Sequence, residues 1–182
     1  MKLCRGLPSL RRKRALNVLT AAFSAVRRRE SFRLVHYSIQ SNHLHLLCEA
    51  DDRRELTRGI QALAIRIAKG LNSLWGRAGK LFADRYHDHI LRTPREVMRA
   101  LRYVLNNAAK HGARWAAREP DPFSSARWFQ AVEHGLRRLD SGPPCLARAR
   151  TWLLSVGWRR AGAVEITTAR PAVSRQRFVA PT

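Results

Sequence analysis

Residues 43–50, His-Leu-His-Leu-Leu-Cys-Glu-Ala, open on a strict polar–apolar alternation directly behind a three-residue polar break at Gln40-Ser41-Asn42. Ahead of the break, residues 32–39 (Phe-Arg-Leu-Val-His-Tyr-Ser-Ile) are rich in β-branched and aromatic side chains. Two such runs around a short polar break predict an antiparallel hairpin. Side chains in a strand alternate faces, so His43 and His45 share one side while Leu44 points into the core.

Helices are expected around this hairpin. Residues 10–29 place Leu16, Leu19, Phe23 and Val26 on one stripe, with basic clusters at 11–14 and 27–29. Residues 51–75 carry Leu56, Ile60, Leu63, Ile67, Leu71 and Leu74 at helical spacing, with Asp51 and Asp52 at the positive end. The sharpest boundary is Thr93-Pro94-Arg95-Glu96: a cap, a proline at the first helical position, and a glutamate that closes a capping box. That helix is expected to run to His111 and stop at Gly112. Residues 81–91 read as a further strand, residues 1–4 as a shortened one, and 148–156 as a short helical piece. The order helix, strand, strand, helix, strand, helix predicts an α+β domain, an antiparallel sheet with helices on one face. Residues 1–116 would form it, and 117–182 a helical or irregular extension.

The chain carries 35 Lys+Arg against 13 Asp+Glu, a net charge of +22. Codon bias toward arginine accounts for Arg over Lys but not for the shortage of acids. Such an excess concentrates a polyanion at the surface and predicts steep salt dependence. Arg11, Arg12, Lys13, Arg14, Arg85, Arg99 and Lys110 are the candidates to hold backbone phosphates. Three dispersed cysteines, Cys4, Cys48 and Cys145, indicate neither a disulfide framework nor a zinc ribbon. The basic–apolar start resembles a signal peptide, but Asn17, Thr20 and Ser24 interrupt its apolar part. No apolar run has the length of a membrane span. The expected setting is cytoplasmic and nucleoid-associated, with a monomer or homodimer.

The chemistry-bearing residues fall in two places. His43 and His45 present two imidazoles from one rigid element, as a metal site needs. Alone, a His-x-His pair is a weak signal and more often a pair of outward polar residues. On the 93–111 helix, Val97, Leu101, Val104, Leu105 and Ala108 form the apolar stripe, and Tyr103 falls opposite with Arg99, Asn107 and Lys110. Tyr103 and Asn107, four residues apart, share a face. A rival group is Tyr86-His87-Asp88-His89, with Tyr86 as a reserve nucleophile. Trp75 could stack a base but suits the core better, and His36, His111 and His134 read as structural or surface residues.

Three ordered segments carry a resemblance: Tyr-Ser-Ile-Gln-Ser-Asn-His-Leu-His-Leu (37–46), Gly-Lys-Leu-Phe-Ala-Asp-Arg-Tyr (79–86) and Arg-Tyr-Val-Leu-Asn-Asn-Ala-Ala-Lys-His-Gly (102–112). Over roughly residues 1–115 the chain resembles the single-tyrosine transposases of the insertion-sequence-200-like group, and among them the REP-associated tyrosine transposases. The resemblance implies a ferredoxin-like sheet, His43 and His45 as metal ligands, Asn107 as the third ligand and Tyr103 as nucleophile. It also implies Mg2+ or Mn2+ as cofactor and single-stranded or hairpin DNA as partner. Two departures stand out. Asn-Ala replaces Asn-Pro at 107–108, and only residues 1–5 precede the Gly-Leu-Pro-Ser-Leu segment where relatives carry a full strand. A misplaced start or a truncated copy would give this. The resulting expectation is DNA cleavage and rejoining through a 5′-phosphotyrosine. The alternative is a decayed or domesticated protein that binds hairpin or single-stranded DNA without chemistry. A basic RNA-binding protein is disfavoured because no RRM or KH signature occurs.

Overall fold

The computed structural model describes residues 1–110, 119–133 and 145–168, with the side chains of all of these except 109, 110 and 130–133. The hairpin forms as expected: β1 (Phe32–Ile39) pairs antiparallel with β2 (Leu44–Ala50), with Ser38 opposite His45. A bulge between Leu34 and His36 breaks the alternation in β1. Val35 therefore joins one core, while Leu34 and Tyr37 on either side of it join the other.

Four further segments lie along the hairpin, joined by isolated bridges and single hydrogen bonds. Residues 1–4 lie beside the start of β2: Leu3 N–H donates to Asn42 O (2.8 Å), and Leu44 N–H donates to Met1 O (2.8 Å). Beyond them lie residues 81–83, where Cys4 N–H donates to Leu81 O (2.9 Å) and Ala83 N–H to Lys2 O (2.9 Å). Both contacts are antiparallel bridges, Lys2 with His43 and Leu3 with Phe82. The lateral order 81–83, 1–4, β2, β1 is that of a ferredoxin-like sheet. On the far edge of β1, Ile39 N–H donates to Phe123 O (2.8 Å), Ser125 N–H to Tyr37 O (3.0 Å) and Ala147 N–H to Leu34 O (2.9 Å). Residues 123–125 and 147 of the 117–182 stretch are thus built into the sheet edge.

Helices cover the sheet. α1 (Lys13–Val26) and α2 (Arg53–Leu74) pack together over one face, where Leu19, Phe23, Leu63, Ile67 and Leu71 are fully buried with Phe32 and Ile39. These are the stripe positions read from periodicity. Asp52 caps α2, its carboxylate accepting from Glu55 N–H (2.7 Å). α3 (Pro94–Lys110) packs on the opposite face through Val97, Leu101 and Leu105 against Val35 and Leu47. The capping box is present: Glu96 N–H donates to Thr93 Oγ1 (3.2 Å), and Thr93 N–H donates to the Glu96 carboxylate (2.9 Å). α4 (Ala126–Glu133), α5 (Trp152–Ser155) and a 3-10 turn (Gly157–Ala161) complete this second core with Phe129, Leu154 and Trp158.

One expected element is absent. Residues 81–91 bridge the sheet only at Phe82, and 84–91 have no strand structure. A strand needs a ladder partner, and among the described residues no backbone hydrogen bond joins 84–91 to the sheet.

Candidate functional site

His45 sits on the α3 face of β2, and His43 precedes the strand by one residue on the same side. The hairpin turn holds them: Gln40 N–H donates to His43 O (2.9 Å). Their Nε2 atoms lie 3.0 Å apart, and the rings meet edge to face at 4.7 Å. Two lone pairs cannot face each other at that distance. Either a shared proton or a cation must lie between them. His43 and His45 would supply two imidazole nitrogens to a cation placed between them. Asn42, given no role by the sequence, contacts His43 Nδ1 with its side-chain oxygen at 2.9 Å. When Nδ1 carries the proton toward that oxygen, Nε2 is left as the donor atom. The only signal for Asn42 in the sequence was its place directly before the histidine pair.

α3 brings the tyrosine over this pair. The Tyr103 hydroxyl is 3.4 Å from His45 Nε2, and the two rings meet edge to face at 4.9 Å. Tyr103 is 43% exposed. Asn107, one turn on, is completely buried, and neither its Oδ1 nor its Nδ2 has a hydrogen-bond partner among the described residues. The helical wheel had put Asn107 on the outward side with Tyr103; burial corrects that. A wheel registers only a helix's own stripe, whereas α3 is covered by the sheet and also strapped by residues 163–167. There Arg102 donates to Ala163 O (2.8 Å), Asn106 Nδ2 to Glu165 O (2.8 Å) and Thr167 N–H to Asn106 Oδ1 (2.7 Å).

The other sequence-selected residues divide. Arg11 is held inside: its guanidinium grips the Asp121 carboxylate through two bonds (2.7 and 2.9 Å), donates to Ile39 O and lies 4.6 Å over the Phe123 ring. Paired this way, it anchors the 121–125 segment to the start of α1 instead of facing outward. Arg12, Lys13, Arg14, Arg85 and Arg99 are exposed, as a phosphate-holding role requires. The Lys110 side chain, His111, Gly112 and His134 lie outside the described residues. His87 and His89 are exposed in the 84–91 loop, and the Tyr86 hydroxyl contacts Thr57 Oγ1 (3.2 Å); all three line the same cavity as His45. Trp75 packs against the α1–α2 core.

The donor set fits a divalent cation only in part by side-chain type. Among the described residues no group of three or more His, Cys, Asp or Glu is placed to hold a metal. Asn107, on the helix above the two imidazoles, is the buried amide whose side-chain atoms have no hydrogen-bond partner among the described residues. Among the described residues no helix is long and apolar enough to cross a membrane. Neither the protein-family models, the curated proteins nor the solved structures include a match to this chain.

Proposed function

We propose that this chain cuts and rejoins single-stranded or hairpin DNA through Tyr103. The observation that carries the reading is the Tyr103 hydroxyl 3.4 Å from His45 Nε2, itself 3.0 Å from His43 Nε2, at an open surface of a +22 chain. Tyr103 Oη attacks the scissile phosphorus, and the P–O3′ bond breaks. The products are a 5′-phosphotyrosine ester and a free 3′-hydroxyl, which takes up a proton. The phenolic proton leaves to water, which the exposure of Tyr103 allows. Attack on the ester by another 3′-hydroxyl reverses the chemistry and joins strands without a nucleotide cofactor. Mg2+ or Mn2+ bound by His43, His45 and Asn107 would supply Lewis-acid polarisation of the phosphate. Arg99, on the same helix as Tyr103, and the exposed Arg12-Lys13-Arg14 cluster would hold flanking phosphates.

A labelled hairpin oligonucleotide incubated with Mn2+ tests this. Wild-type protein should give a covalent band in a denaturing gel. Tyr103→Phe should give none while binding the hairpin within about threefold of wild type, and His43→Ala should lose cleavage more than affinity. A band that persists in Tyr103→Phe refutes the assignment. A wild-type protein that binds the hairpin tightly yet never forms the band leaves the second reading, a DNA-binding protein without chemistry.

A further inference from the structure

Between Leu146 and Val164 the chain holds Arg148, Arg150, Arg159 and Arg160 and no acid. All four arginines are exposed. The same stretch carries two tryptophans with opposite placements. Trp158 is buried in the second core, its ring 5.5 Å from that of Phe129. Trp152, the first residue of α5, is 47% exposed. Leu154 and Trp158 share that core with Val97 and Leu101 of α3, so α5 and its tryptophan are packed onto the helix that carries Tyr103.

The exposed indole is held in place. Just ahead of it, the Arg150 and Thr151 N–H groups donate to the Glu49 carboxylate (2.8 and 3.0 Å), and Glu49 is itself buried and bonded to Arg33 (3.1 Å). Gly157 lies against the ring so closely that a Cβ there would sit 2.6 Å from Trp152 Cζ3. The Arg160 guanidinium lies 4.9 Å over the ring. A ring fixed this way loses little freedom when a ligand settles on it.

We propose that Trp152 with these four arginines is a second nucleic-acid contact, where an unpaired base of single-stranded DNA stacks beside the indole and the guanidinium groups hold the adjoining phosphates. The surface selects that partner. Its exposed apolar part is one indole and Val156 among arginines, too little for a lipid surface or an apolar protein face. An acidic peptide would match the charge but leave the indole unused. In a duplex the bases already stack on one another. The inference rests on single-stranded DNA being the partner, as in the proposed function, and is independent of cleavage by Tyr103.

Photocrosslinking of the full chain to a twelve-nucleotide oligothymidine bearing 5-iodouracil tests it, with no metal added so that no cleavage intervenes. Tandem mass spectrometry should place the crosslinked nucleotide on Trp152. In fluorescence anisotropy, Trp152→Ala should weaken oligothymidine binding by about fivefold or more, and Trp152→Phe should restore it to within about twofold. An abasic twelve-nucleotide strand, with the same phosphates and no bases, should bind wild type and Trp152→Ala equally. A crosslink that falls elsewhere in the wild-type chain overturns the proposal whether or not the variants fold. So does an equal loss of affinity for the abasic strand in Trp152→Ala. A Trp152 crosslink in a protein that never forms the covalent band with Mn2+ would sink cleavage and leave this contact standing, and the reverse pair of results would do the opposite.

Discussion

Asn107 opposes the stability of its own helix. A buried amide with neither atom bonded costs about 1–3 kcal/mol, and asparagine is a weak helix former. A residue that the fold would discard and the site can use is what a stability–activity conflict looks like. We expect Asn107→Leu to raise the urea midpoint, by about 1 kcal/mol or more of stability, and to lose cation-dependent cleavage. Wild-type protein should also gain thermal stability in Mn2+, by about 2.7 kcal/mol at a hundredfold excess over Kd, and the leucine variant should not. A less stable leucine variant would mean that the amide has a partner in solution. The sequence marked Asn107 as unusual in mid-helix but could not reveal its burial, which neighbours impose. Arg11 carries the same lesson. Within a basic run it looks like its neighbours, and only Asp121, 110 residues away, separates it from them.

At the scale of elements, what periodicity and capping encode was legible, and what depends on a distant partner was not. The stripes of α1 and α2, the Thr93–Glu96 box and the hairpin are local patterns, and each formed. Residues 81–91 have the composition of a strand, but composition cannot supply a ladder partner, and only Phe82 forms a bridge. Close helix–sheet approach was equally hidden. A Cβ on Gly59 would lie 2.1 Å from Phe32 Cγ, a fully buried ring. Helix propensity favours Gly59→Ala by about 1 kcal/mol, whereas forcing a methyl into a packed core costs about 1–3 kcal/mol. A contact this short lies at the costly end, so Gly59→Ala should destabilise the fold by about 1 kcal/mol or more. Paired Gly59→Ala and Phe32→Leu should recover part of the loss in a double-mutant cycle. A stabilised Gly59→Ala would show that α2 sits further from the sheet.

For the molecule as a whole, two responses to solution conditions follow from buried and surface charge. His36 packs against Phe129 and contacts Ser125 Oγ at 3.1 Å. Burial lowers its pKa from 6.5 to about 4. Between those values the unfolded chain binds the extra proton, so this contribution is intact above about pH 6.5 and is lost as pH falls toward 4. The loss is on the order of 3 kcal/mol, and His36→Gln should flatten the decline in urea midpoint between pH 7 and pH 4.5. Surface charge sets the second response. The described ion pairs occupy Arg11, Arg33, Arg58 and Arg127, a small share of the 35 basic residues. Most of the excess therefore remains to attract a polyanion. For single-stranded DNA the logarithm of affinity should fall with the logarithm of salt at about −0.7 per phosphate neutralised. Replacing Arg12, Lys13 and Arg14 together by alanine should shallow that slope by about 2. Arg11→Ala, which removes an internal anchor, should lower thermal stability and leave the slope unchanged. Filter binding across a salt series reads both, and an unaltered slope in the triple variant would take the start of α1 off the path of the DNA.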